Sequence, residues 1–133
     1  IRRTVHRRDL NRPQITDQAL ERRLAEPDSD VSALLPVLRR ALAERVVHPA
    51  LHPDAPMTVL SADRSDRVIL QRSRGGETLV AVHNMTAARL SLRLGRLGGD
   101  LNQPWADCLS GHVFEPHQSH SLEPYAVHWL VQP

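Results

Sequence analysis

The spacing of apolar residues changes character near residue 50. Before that point it is helical. Val31, Leu34, Leu35, Leu38, Leu42 and Val46 recur at steps of three and four, the stripe of an amphipathic helix ending near Val47. Asp28, Ser29 and Asp30 supply N-cap candidates for it. Pro36 conflicts with the pattern, because an interior proline removes a hydrogen bond and clashes one turn back, at about 3 kcal/mol. The sequence therefore predicts either a late start, with Ser32 as N-cap, or a kink at Pro36. A shorter helix precedes it: Thr16 or Asp17 caps, Leu20 and Leu24 form a narrow stripe, and Pro27 ends it. Residues 1–13 show no sustained period and read as irregular.

His48-Pro49 through Pro56 contains prolines at 49, 53 and 56, which marks a boundary. Beyond it the period shortens to that of strands. Segments 57–61, 67–72, 77–83 and 89–94 are separated by turn signals at 63–66, at Gly75-Gly76 and at Asn84-Met85-Thr86. Gly75-Gly76 between two such runs is a hairpin signal. After a loop at 95–103 come 105–109, 112–114, 119–122 and 126–131. The fold class is α+β: two helices, then a small antiparallel β-sandwich of about seven or eight strands. The expected division is 1–50 and 51–133.

Composition sharpens this in a few places. The 133 residues suit one ordinary domain or a small one with an appendage. The four aromatic residues, Trp105, Phe114, Tyr125 and Trp129, all lie in the last third, so any aromatic core belongs there. All 17 basic residues are arginine, and the net charge of +2 is too small to argue for nucleic acid, although residues 1–12 hold five arginines against Asp9. Trp105, Tyr125 and Trp129 are read as core rather than as a sugar-stacking platform. Cys108 excludes a disulfide within one chain, and a buried inert thiol is favoured over a nucleophile with His112 as base. His112, His117, His120 and His128 are too irregularly spaced to argue for a metal, so neither metal nor cofactor is expected. No apolar run approaches the ~20 residues of a membrane span. The expected setting is cytoplasmic, with neither membrane nor nucleic acid as partner.

Several motifs stand in a telling order. Arg8-Asp9-Leu10-Asn11-Arg12 opens the chain, and His48-Pro49 follows the two helices. Leu79-Val80-Ala81-Val82-His83-Asn84-Met85-Thr86, Trp105-Ala106-Asp107-Cys108-Leu109-Ser110-Gly111 and Leu122-Glu123-Pro124-Tyr125 come after. Together they resemble the end of sucrose phosphorylase-like enzymes of the α-amylase superfamily. That resemblance implies that residues 1–50 close a (β/α)8 barrel and that 51–133 form a C-terminal all-β domain. It implies retaining glucosyl transfer by an upstream barrel that carries the catalytic carboxylates. This chain would then be a non-catalytic region, inactive alone, whose partners are that barrel and, through it, a sugar or sugar phosphate. None of the fifteen acidic residues matches the family's catalytic acids. One position carries over: the resemblance places Arg8 near the pocket for the glucosyl unit of the full-length parent. The alternative is an independent carbohydrate-binding module.

Overall fold

The computed structural model describes residues 15–27, 29–61, 64–97, 100 and 102–132. Two compact units divide at Arg39 and Arg40.

The first unit holds helix α1 (Asp17–Ala25) and the start of helix α2 (Asp30–Val47). Thr16 caps α1 by accepting from the Ala19 amide at 3.2 Å. Ser29 caps α2, its hydroxyl oxygen accepting from the Ser32 amide at 3.1 Å. Of the two alternatives, a late start at Ser32 or a kink at Pro36, the late start does not occur. The helix begins at Asp30, and Pro36 lies inside it. The Ser32 hydroxyl donates to the Pro27 and Ser29 carbonyls at 2.8 Å, tying the first turn to the preceding loop. No residue of α1 or α2 is fully buried, and Leu34, Val37, Leu38, Leu42, Val46 and Val47 are all exposed.

The second unit holds the end of α2 and the β domain. Among the described residues eight strands form: β1 (Met57–Val59), β2 (Arg67–Arg74), β3 (Glu77–Asn84), β4 (Leu90–Arg93), β5 (Trp105–Asp107), β6 (Val113–Phe114), β7 (Ser119–Leu122) and β8 (Val127–Val131). Six make one antiparallel sheet in the order β1-β2-β3-β8-β5-β6, and β4 pairs β7 in a second. Strand β3 is central and buried on both faces, so its two period-two series serve two cores. Val80 and Val82 join Ile69, Leu92, Leu122 and Leu130 in the larger core, which Trp105 and Phe114 complete. Leu79 and Ala81 face Ala50 and Leu51 of the 3-10 turn Pro49–Leu51, with Cys108 beside them. The proline-rich boundary is therefore a lid on the outer face of the sheet. Gly75 and Gly76 turn the β2–β3 hairpin with φ of +62° and +85°, values that favour glycine in a two-residue turn.

Candidate functional site

Two of the resemblance motifs turn out to be structural hubs. Asn84 ends β3, almost fully buried. Its side-chain amide donates to the Ala88 and Glu123 carbonyls at 2.7 and 2.8 Å, and its oxygen accepts from the Thr86 amide and hydroxyl at 3.0 and 2.9 Å. The Tyr125 amide donates in turn to the Thr86 carbonyl. The Asn-Met-Thr and Leu-Glu-Pro-Tyr segments are thus stapled together. Every polar atom of Asn84 is used in holding loops, leaving none for a ligand.

Asp107, at the end of β5, is the second hub. One oxygen accepts from the Trp129 and Leu109 amides at 2.9 and 3.2 Å; the other accepts from the Ser110 hydroxyl at 2.6 Å and pairs with His128 Nδ1 at 3.0 Å. Burial alone would raise its pKa, but these four bonds outweigh it and hold the carboxyl at about 2. The group is therefore an anion at neutral pH, locked to the β5–β6 turn and to β8. Both of its oxygens are engaged by donors of the described residues.

A third constellation lies where the last turns of α2 meet the β domain. Glu44 and His48, one helical turn apart, approach Glu77 of β3 and Cys108. His48 Nδ1 lies 2.8 Å from Glu77 Oε2, and His48 Nε2 lies 3.2 Å from Glu44 Oε2 and 3.3 Å from Cys108 Sγ. Arg40 Nε bonds Glu44 Oε1 at 2.8 Å and the Cys108 carbonyl at 2.9 Å. The Ala50 amide donates to Glu77 Oε1 at 3.1 Å. Burial first, then the Glu44, Asp107 and Glu77 charges, push the Cys108 thiol up to about 11, so it is no nucleophile at neutral pH. Its imidazole neighbour is His48 and not His112.

The remaining sequence candidates fall as follows. Arg8 lies outside the described residues. Trp105 is 1% exposed and belongs to the core as expected. Trp129 is half-buried against the smaller core. Tyr125 corrects the core reading: it is 67% exposed, in a turn with φ of +56° and outside β8, so it shares no strand face with Trp129. The three aromatics form no exposed platform. His112, His120 and His128 each set a ring edge-on to Phe114, at centroid distances of 4.7, 4.9 and 5.1 Å. Among the described residues they do not converge as metal ligands; Glu44, His48 and Cys108 do. A cleft of about 610 Å³ is lined by Ser61, Arg64, Arg67, Ser91 and Arg93. Asp66 pairs with two of these guanidinium groups, Arg64 at 2.7 Å and Arg67 at 3.0 Å.

Sequence reasoning missed the Glu44–His48–Glu77–Cys108 cluster. The Glu44–His48 spacing was legible on the helix, but the meeting with β3 and the β5–β6 turn is tertiary. Asp107 enters the sequence reading only as part of the Trp105–Gly111 motif, although a lone acid inside an apolar strand signals a buried, satisfied carboxylate.

No family model matches the chain. It is 29% identical over 125 residues to the glucosylglycerate phosphorylase of Allomeiothermus silvanus, a match covering 93% of this chain and 20% of that protein. Among solved structures, AmyP bound to maltotriose superposes with a TM-score of 0.67 at 19% identity, over 89% of this chain and 23% of that one. The trehalulose synthase MutB of Pseudomonas mesoacidophila MX-45 gives 0.62 at 19%, over 90% and 21%. An Anoxybacillus α-amylase gives 0.64 at 17%, over 84% and 24%. The chain spans about a fifth of the length of the relatives it matches. The resemblance read from the motifs therefore holds: this chain is similar over nearly all its length to one stretch of a phosphorylase, and its fold is one found within enzymes of the α-amylase superfamily.

Proposed function

We propose that the chain is the non-catalytic C-terminal region of a retaining glucosyl-transferring enzyme. Residues 1–50 close the catalytic barrel and 51–133 form the β domain behind it. The observation that carries this reading is the extent of the match: 93% of the chain against 20% of a glucosylglycerate phosphorylase. The exposed apolar residues of α2 support it. Leu42 and Val46 are 63% and 87% exposed, although they belong to the strongest apolar stripe in the sequence. Such a stripe calls for a covering surface, and an upstream barrel supplies one. The acids described above support it too, because Asp107 is spent on holding loops and Glu44 of α2 and Glu77 of β3 face a histidine.

On this reading the barrel holds the donor sugar, phosphate takes the glucosyl group, and the β domain fixes the last barrel helix. Arg8 stands at the sugar pocket of the parent, where a guanidinium forks two hydrogen bonds to adjacent hydroxyls or to a carboxylate that binds them. The setting is the cytoplasm; among the described residues no helix is long and apolar enough to cross a membrane. The test compares this chain with the protein read from upstream of Ile1, using α-glucosides and inorganic phosphate. The longer protein should release glucose phosphate and the chain alone should not. A longer protein without such activity overturns the assignment.

A further inference from the structure

The meeting of Glu44, His48 and Cys108 has an unbalanced feature. Two of the three electron-pair donors lie on the end of α2 and one on the turn after β5, and all three ligand atoms lie within 4.8 Å of one another. In the tautomer whose Nδ1–H donates to Glu77, the Nε2 atom carries a lone pair. Nε2 then points its lone pair between the Glu44 carboxylate and the Cys108 sulfur, 3.2 and 3.3 Å away. The surrounding formal charges are also lopsided: Glu44, Glu77 and Asp107 against the Arg40 guanidinium. A cation placed among the three donors resolves both features.

We propose that Glu44 Oε2, His48 Nε2 and Cys108 Sγ form a zinc site, with Glu77 as the carboxylate that orients the histidine. Bonds of about 2.0–2.3 Å to a tetrahedral ion set its ligand atoms roughly 3.3–3.8 Å apart. The Nε2–Sγ and Nε2–Oε2 separations of 3.3 and 3.2 Å are close to that edge. A carboxylate on the far nitrogen of a ligating histidine is the usual outer partner of a zinc ligand, and Glu77 occupies that position at 2.8 Å. Its second oxygen is held by the Ala50 amide. Arg40 engages only Oε1 of Glu44, leaving Oε2 to the ion, and by bonding the Cys108 carbonyl it holds two ligand-bearing segments together. A thiolate with an imidazole selects zinc over magnesium or calcium. Binding forms a zinc–sulfur bond and breaks the Cys108 S–H bond, releasing its proton to solvent with no change of oxidation state. A water fills the fourth position. The ion would pin the end of α2 to the β5–β6 turn, a structural staple.

The test uses the 133-residue chain, freed of metal with a chelator, titrated with zinc by calorimetry and with cobalt(II) by absorption at pH 7.5. One equivalent should bind, and cobalt should give a near-ultraviolet thiolate charge-transfer band. Cys108→Ser should abolish the band and weaken zinc binding at least 100-fold. Glu77→Gln should keep the band and weaken binding roughly 10–100-fold. His117→Ala, at an exposed histidine outside the cluster, should change neither. If Cys108→Ser fails to fold, His48→Gln serves in its place, and the band in the unmodified chain decides alone. Absence of the band, or zinc binding that survives loss of Cys108, overturns the site.

Discussion

Asp107 shows what a single side chain does in this domain. Its carboxylate collects two backbone amides, a hydroxyl and an imidazole, and so joins the β5–β6 turn to β8. A carboxyl titrating at about 2 in the folded chain and near 3.9 when unfolded stabilises the fold above pH ~4. That stabilisation, on the order of 2 kcal/mol, is lost as the pH falls from ~4 towards 2. Asp107→Asn should cost about 2–4 kcal/mol at pH 7, since it leaves buried donors facing an amide. Urea unfolding of both proteins from pH 7 to pH 2.5 checks this, because the difference between them removes the other carboxylates. The gap should narrow with acid; a gap that stays constant would mean Asp107 contributes packing alone. Arg8 calls for a kinetic test in the longer protein. Arg8→Lys keeps the charge and loses the fork, so kcat/KM should fall at least tenfold with little change in Tm. Arg7→Lys should be nearly silent. Wild-type kinetics in both would make Arg8 an ordinary residue.

At the scale of elements, the β half was legible because its signals are local. Gly75-Gly76 marked the hairpin, period-two runs marked the strands, and all eight strands form within a residue or two of where the pattern places them. Gly76→Val should cost about 1–2 kcal/mol, because φ of +85° strains a β-branched residue, whereas Gly75→Asn should be tolerated in the same turn. Chemical denaturation of the two variants separates these outcomes. The helical half was legible in period but not in its start, because Ser29 rather than Ser32 provides the cap and the helix runs from Asp30 with Pro36 inside it. The aromatics were half legible. Composition alone cannot say that Tyr125 sits in a positive-φ turn. Trp105→Ala should cost about 3–5 kcal/mol and Trp129→Ala about 2, in the order of their burial. Equal losses would contradict the division into a deep core and a shallower outer face.

At the scale of the molecule, the candidate site was the least legible feature. Glu44, His48, Glu77 and Cys108 are dispersed over 65 positions, and the packing of the Pro49–Leu51 turn on the sheet, directly after the end of α2, brings them together. The larger organisation was more accessible, since the order of motifs pointed to an α-amylase-type enzyme and the match to a phosphorylase spans 93% of the chain. The reading of this chain as a supporting region rests on where its acids are spent and on the uncovered stripe of α2. The most direct measurement is release of glucose phosphate from α-glucosides and inorganic phosphate, by the purified chain and by the protein extended upstream of Ile1. The account predicts turnover by the extended protein and none by the chain. Turnover by the pure chain, abolished by replacing one of its own carboxylates, would contradict it.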